Sequence, residues 1–356
     1  MAENFDVKTG EIVLLCKDFD ESFRFYIERL NFRIESIFPA DNPREAILSG
    51  YGLRIRLKKS SIEQNENVRI RLNRESLQAA EELIAPDGVK IEFVESNSEL
   101  IVPKIRPSLV INRLPERADW VAGRAGMRYR DLIPDRLGGA IIASHIHIPD
   151  AGHVPDYVHF HKVQFQMIYC YKGWVKVVYE DQGEPFVMNA GDCVLQPPEI
   201  RHRVLEASEN LEVIELSSPA EHITYADHEM PLPNGKTDFK REFSGQKFVR
   251  HIAEEAVWEP RRTSGFECRD IGIGDATKGL AKAKVLRSAD NLSTETFLSH
   301  DDFLFMFVLR GKLELKVGEN VFEILGDWFL YHRSPEELKH FALQAGIDES
   351  KIDVIQ

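Results

Sequence analysis

The sequence predicts a mainly β protein in three parts: an α+β domain over 1–114, then two antiparallel β-barrels over 115–232 and 233–356. Three observations carry this. Over 10–58 an apolar strand, an amphipathic helix and three short strands follow in the order β-α-β-β-β. Over 137–218, short apolar runs alternate with turn residues at the spacing of an all-β barrel. Over 263–345 that pattern returns. FVLRGKLELKVGENVFEILGDWFLY aligns with IYCYKGWVKVVYEDQGEPFVMNAGDCVLQ, Gly311 falling on Gly173 and Gly326-Asp327 on Gly191-Asp192, an internal duplication.

In chain order, EIVLLC is the first strand. Asp18 precedes a helix, with Glu21 three positions on in capping-box spacing. Phe19, Phe23, Tyr26, Ile27 and Leu30 recur at the helical period and form one apolar stripe. FRIESIF, EAILSG and LRIRLKK are short strands broken by Asp, Asn, Pro and Gly. A second unit begins at VRIRLN. ESLQAAEELI reads as its helix, ended by Pro86-Asp87-Gly88, and VKIEFVE as its next strand. The element order resembles the vicinal-oxygen-chelate (glyoxalase-like) fold over about 8–114. Enzymes of that fold set His, Gln or Glu ligands on their strands. The first strand here offers Glu11, and no histidine precedes His145. The domain is therefore expected to shape or support a site elsewhere, not to hold a metal itself.

Residues 97–136 mix Pro103, Pro107, Pro115 and Pro134 with arginines, among them Arg117, Arg124, Arg130 and Arg136. They read as a linker wrapping the first barrel. Its arginines serve either as a carboxylate clamp or as partners for the protein's own acidic surface. GGAIIASHIHI is a strand with His145 and His147 on one face and Ile142, Ile146 and Ile148 on the other. The two histidines either line the barrel cavity or are held outside it. WVKVVYED, GEPFVMNAGD, CVLQPP, HRVLEA and LEVIELSSP supply the remaining strands and turns. Residues 219–262 read as a loop between barrels, with His222 and His228 solvated. In the second barrel the ligand positions read Phe297, Ser299 and Leu304. His300 and His340 lie nearby without an H-x-H, so no metal is expected there.

The stretch from Gly152 to Glu206 carries the chemistry. His159 and His161 sit two apart in an apolar, aromatic run. Residues i and i+2 of a strand share a face, so both imidazoles can meet one ion. Gln166 follows five residues on, and His202 comes from a later strand. Three imidazoles and one amide oxygen make a mononuclear metal site. The same stretch resembles the cupins, small antiparallel β-barrels of the double-stranded β-helix type. Their first motif of Gly, H-x-H, Glu and Gly reads here Gly152, His159, His161, Gln166 and Gly173. Their second, of Gly, Pro, Gly and His, reads Gly191, Pro197, Glu199 and His202. Gln166 stands for the usual Glu, which removes an anionic ligand. Glu199 stands for the usual Gly in a turn. With the duplication, the resemblance is to a bicupin.

That resemblance implies one divalent transition metal: Fe, Mn, Ni, Cu, Co or Zn, among which the ligand set alone does not choose. Glu206, four residues after His202, would lie about 13 Å from it on a regular strand. On the same strand face as His202, it is expected as a cavity or rim residue and, with Tyr157, as a catalytic group that handles protons. The implied function is that of a metal-dependent oxidoreductase of dioxygenase type acting on a small organic substrate. A non-redox isomerase or lyase, and a non-catalytic ligand-binding or sensor protein, stay open.

Composition narrows the partners. The chain has 356 residues, 43% hydrophobic and 29% charged, with a net charge of -13. An acidic chain without a helix-turn-helix signal argues against nucleic acid. Cys16, Cys170, Cys193 and Cys268 are scattered, with no C-x-x-C, which suits a reducing cytoplasm. No apolar run approaches the roughly 20 residues of a membrane helix, and the N-terminal stretch is not a signal peptide. The expectation is a cytoplasmic protein with a small-molecule partner, no membrane partner, and a possible homodimer.

Overall fold

The computed structural model describes residues 7–355 apart from 63–64, 76–80, 97–98, 107–108, 114–119, 261–265, 289–293, 298–302, 318–319, 326–327, 333–340 and 346–352. They form two compact units, Met1–Glu99 and Leu100–Gln356.

The first unit opens with β1 (Ile12–Cys16) and α1 (Phe19–Arg24), which runs on into a π-helical turn, Phe25–Arg29. β2 (Arg33–Phe38), β3 (Glu45–Gly50) and β4 (Leu53–Lys59) follow. Asp18 caps α1 as its spacing predicts, its carboxylate accepting from the Glu21 amide at 2.9 Å. The sheet order is β1-β4-β3-β2, with β1 parallel to β4. Phe19, Tyr26 and Leu30 are buried against this sheet, with Phe23 and Ile27 half-buried beside them. Glu11 is engaged by Arg56 at 2.5 Å and Arg54 at 3.6 Å.

The next segment departs from expectation. β5 (Arg69–Arg74), β6 (Glu81–Ile84) and β7 (Lys90–Glu95) form a sheet in the order β5-β7-β6. Residues 76–80 lie outside the described residues, but Glu81–Ile84, expected to end a helix, is a strand. The cause is the Pro86-Asp87-Gly88 turn. Gly88 adopts φ +86, its amide donates to the Ala85 carbonyl at 2.9 Å, and the Ala85 amide donates to the Val89 carbonyl at 2.8 Å. A closed hairpin turn pairs Ile84 with Lys90 antiparallel and outweighs the helix propensity of the residues before it. Buried Asp87 anchors the turn, accepting from the Tyr26 hydroxyl at 3.2 Å.

The second unit contains β8 (Leu109–Arg113), β9 (Val121–Ala122), β10 (Arg128–Asp131), α2 (Arg136–Gly139), β11 (Ile142–Ile148), β12 (Gly152–His153), β13 (His159–His161), β14 (Phe165–Lys172), β15 (Trp174–Tyr179), β16 (Phe186–Asn189), β17 (Cys193–Leu195), β18 (His202–Ala207), β19 (Leu211–Ser218) and β20 (Thr224–Ala226). β21 (Glu242–Phe243), β22 (Gln246–Lys247) and β23 (Val249–His251) lead to the second half. That half holds β24 (Glu259–Pro260), β25 (Phe266–Asp270), α3 (Ile273–Ala276), β26 (Lys284–Ser288), β27 (Thr294–Phe297), β28 (Leu304–Arg310), β29 (Lys312–Val317), β30 (Asn320–Leu325), β31 (Trp328–His332), β32 (Phe341–Ala345) and β33 (Asp353–Ile355).

The duplication is visible in the sheets. The first half has β23-β17-β14-β19-β11-β10-β9 facing β16-β15-β18-β13-β20. The second has β24-β25-β26-β33-β28-β31-β8 and β27-β32-β29-β30. The run β17-β14-β19-β11 thus corresponds to β31-β28-β33-β26. Gly173 and Gly311 sit at the same turn with φ +78 and +92, a region that favours glycine. Gly326, Asp327, Ser299, His300 and His340 lie outside the described residues. Residues 97–136 are not a plain linker. β8 joins the second half's sheet beside β31, while β9 and β10 extend the first half's sheet beside β11. Pro107, Pro115 and Arg117 lie outside the described residues.

Strand alternation divides the burial. Met167, Tyr169, Ile214 and Leu216 point out of the first barrel and pack on Val285, Phe305 and Phe307 of the second half. The opposite face turns Val175, Val177, Met188 and Val213 into the first barrel. No helix among the described residues is long and apolar enough to cross a membrane.

Candidate metal centre

β13 and β18 bring the histidines together, with His159 directly opposite His202 in the ladder. His161 shares their face two residues on. One ring nitrogen from each of His159, His161 and His202 lies within 4.8 Å of the other two. The far side of each ring is held. His159 Nδ1 donates to the Tyr157 carbonyl at 2.8 Å, and His202 Nδ1 to the Ile200 carbonyl at 3.0 Å. A carbonyl only accepts, so the proton sits on Nδ1 and the Nε2 lone pair is left for the centre. His161 Nδ1 meets Thr224 Oγ1 at 2.9 Å. Burial, reinforced by Arg124, lowers the His159 pKa to about 4. Burial first, then neighbouring imidazoles, also holds His161 and His202 well below the ordinary histidine range. All three rings are therefore neutral at pH 7, the form that ligates a metal. Tethered outer nitrogens, convergent inner ones and neutral rings fit a transition metal.

One cation already touches this cluster. Arg124 Nη2 lies 2.6 Å from His159 Nε2, while its Nη1 pairs with the buried carboxylate of Asp156. Asp156 also accepts from the Val204 amide at 3.0 Å. Arg124 covers the nitrogen a metal needs, and its charge opposes a divalent ion. An Arg124→Gln variant keeps a donor for Asp156 and removes the charge. It is expected to bind Zn(II) or Mn(II) about tenfold more tightly by competition titration.

Gln166 lies on the inward face of β14, opposite Ser217. Its Oε1 accepts from Gln196 Nε2 at 2.9 Å, and its own buried Nε2 has no partner. Gln196 in turn accepts from the Tyr179 hydroxyl at 2.6 Å and stands 3.4 Å from His202 Nε2. A chain Tyr179–Gln196–Gln166 therefore adjoins the histidines. Burial drives the Tyr179 hydroxyl well above the usual tyrosine pKa, so it stays a donor.

The cluster opens into a cavity of about 550 Å³ inside the barrel, lined by His161, His202, Gln196 and mostly apolar side chains such as Ile146, Ile168 and Val177. Glu215 lines it as well, set between Ser144 and Ile168 in the ladder. Tyr129 lies beside it, its pKa pushed up to about 12 by burial. His222, expected to be solvated, is half-buried with its ring 5.4 Å from that of His161. His228 is exposed.

Two expected proton carriers are placed differently. The β15–β18 register shifts between Lys176 and Val177, pairing them with Glu206 and Val204 and leaving Leu205 bulged. The bulge reverses the alternation, so Ala207 is buried while Glu206 points outward toward Lys176 at 3.8 Å. Glu206 is therefore not a cavity residue, and Glu206→Gln is expected to leave metal affinity unchanged. Tyr157 is 39% exposed; its ring centroid lies 5.9 Å from that of His159, and its role at the ring is through its carbonyl. His145 and His147 face away from the cavity. His145 sits between Glu212 at 2.7 Å and Arg130 at 2.9 Å, and both rings adjoin Trp120.

Residues 145–217 match the family model described as Cupin domain. Among solved structures, the chain is similar to an oxalate decarboxylase at 11% identity, over 73% of this chain and 78% of that one, with a TM-score of 0.49. Lactobacillus farciminis oxalate decarboxylase in its formate complex is similar at 11%, over 73% and 87%, with a TM-score of 0.49. Bacillus subtilis oxalate decarboxylase, described with Mn(II) centres, is similar at 10%, over 73% and 78%, with a TM-score of 0.49. No curated protein matches.

Proposed function

We propose that the first barrel is a mononuclear metal centre of cupin type that acts on a small organic substrate, with dioxygenase-type oxidation as its reaction. The observation that carries it is the buried, convergent His159–His161–His202 triad at the wall of a mostly apolar cavity. The three imidazoles hold a divalent transition metal, with Gln166 as fourth ligand once its amide turns its oxygen to the centre. When bound, the metal supplies Lewis acidity and, if redox-active, electron transfer to oxygen. All four ligands are neutral, so the ion's charge stays undiminished and favours an anionic or enolic substrate.

The chain's own residues supply the rest. Ile146, Ile168 and Val177 exclude water around the substrate. Tyr129, protonated at pH 7, donates a hydrogen bond, and Glu215 is the carboxylate placed to take a proton. That acid–base pair also favours a second reading, a non-redox isomerase or lyase. A homodimer, checked by light scattering, is the expected assembly. The test is anaerobic loading with Fe(II) and addition of nitric oxide as a stand-in for oxygen, read by electron paramagnetic resonance. A nitrosyl signal supports an open position that admits oxygen. Its absence in the loaded protein contradicts the oxidation reading.

A further inference from the structure

A second cavity lies apart from the metal centre and shares no lining residue with it. On β14, residues 166, 168 and 170 face into the barrel and 169 and 171 face out. Tyr169 and Tyr171 accordingly form one wall of an outer cleft of about 390 Å³, closed by Trp258, Arg269, Arg287 and Arg310. Three arginines line this cleft, and among the described residues no Asp or Glu does.

Arg269 makes the imbalance costly. It is 6% exposed. Its Nη1 donates to the Ala253 carbonyl at 3.3 Å. Its Nη2 donates to the Gly191 carbonyl at 3.1 Å and the Tyr169 hydroxyl at 3.4 Å. All three acceptors are neutral, so they satisfy protons without balancing charge. The Nε–H is buried with no partner. The neighbouring buried carboxylate, Asp192, is taken up by the Ala253 and Asn189 amides, each at 2.8 Å, so the buried guanidinium has no ion-pair partner among the described residues, which is unfavourable. Arg287 differs, because it pairs with Glu267 at 2.5 Å and lies 4.0 Å over the Trp258 ring, with Arg269 at 5.2 Å from the same ring. Trp258 thus holds two guanidinium groups in place at the mouth of a cleft that, among the described residues, has cations and donors but no anion. Planar guanidinium groups match the paired oxygens of carboxylates and phosphates.

We propose that this cleft between the two halves of the second unit binds a small oxyanion, a carboxylate or a phosphate, with Arg269 as its buried anchor and Arg287 as its outer contact. The anion supplies the counter-charge that Arg269 lacks and the acceptor for its Nε–H. The site is independent of the metal centre and of any reaction there.

The test is isothermal titration of the full, chelator-treated chain with inorganic phosphate and, separately, with malonate, at ionic strength fixed with chloride. Saturable one-to-one binding of phosphate alone assigns a phosphate-type ligand, and of malonate alone a carboxylate-type ligand. Arg287→Gln is expected to weaken that binding about tenfold, the worth of one charge-assisted contact. Arg269→Met is expected to abolish it. Should Arg269→Met fail to fold, Arg269→Lys keeps the charge without the fork and is expected to bind more weakly than wild type. Binding of neither anion to the wild-type chain overturns the proposal, as does undiminished binding in both Arg287→Gln and Arg269→Lys. Loss of binding in Arg124→Gln but not in Arg287→Gln moves the anion into the first barrel's cavity and equally overturns it.

Discussion

Replacing His161 with alanine is expected to weaken divalent-metal binding by more than about 100-fold, since even outer partners of metal ligands are worth 10–100-fold. His161 supplies one of only three convergent ring nitrogens among the described residues. Its imidazole is buried and neutral, so it gives a lone pair without first losing a proton. The second nitrogen is held by Thr224, which fixes the ring's direction. The change also removes a side chain from the cavity wall, so the fold must be checked by near-ultraviolet circular dichroism. Retained affinity in a folded His161→Ala chain would place the ion elsewhere.

Asp156→Ala is expected to cost about 2 kcal/mol of stability: the carboxylate is buried but the Arg124 side chain is 27% exposed, so the loss falls short of that for a fully buried ion pair. Two groups depend on this carboxylate, the Arg124 guanidinium and the Val204 amide. Val204 lies two residues after His202 on β18, so the carboxylate also ties down the strand that carries the third histidine. Asp156→Asn keeps an acceptor for Val204 and is expected to lose less. The measurement is urea unfolding followed by tryptophan fluorescence. A loss below about 1 kcal/mol for Asp156→Ala would mean that water or another residue replaces the carboxylate.

What could be read from the sequence was local. The H-x-H spacing places His159 and His161 on one face through strand geometry alone. The capping of α1 by Asp18 depends on residues three apart. The repeat that predicts two barrels is a comparison of the chain with itself, and the matching sheet orders follow it. The missing parts depend on pairing between distant strands. Arg124 reaches His159 and Asp156 from 35 and 32 residues away. Nothing in its neighbourhood separates it from the other arginines of that segment. Glu215 sits in the alternating run LEVIELSSP, and its parity with Val213 and Ser217 is the signal that it faces inward. Gln196 adjoins the Pro197 of the second motif, but only the fold sets it between Tyr179 and Gln166. Glu206 was misplaced because a bulge cannot be read from a strand's composition, and one extra residue turns every later side chain over. The helix expected to extend through Glu81–Ile84 gave way to a hairpin closed by the turn after it.

The most direct test is the metal content of the chain purified without added metal and again after anaerobic reconstitution, by inductively coupled plasma mass spectrometry. The account predicts one equivalent of a single divalent transition metal per chain, displaced by a chelator and absent from His161→Ala. No bound metal in either preparation of a folded chain would contradict it.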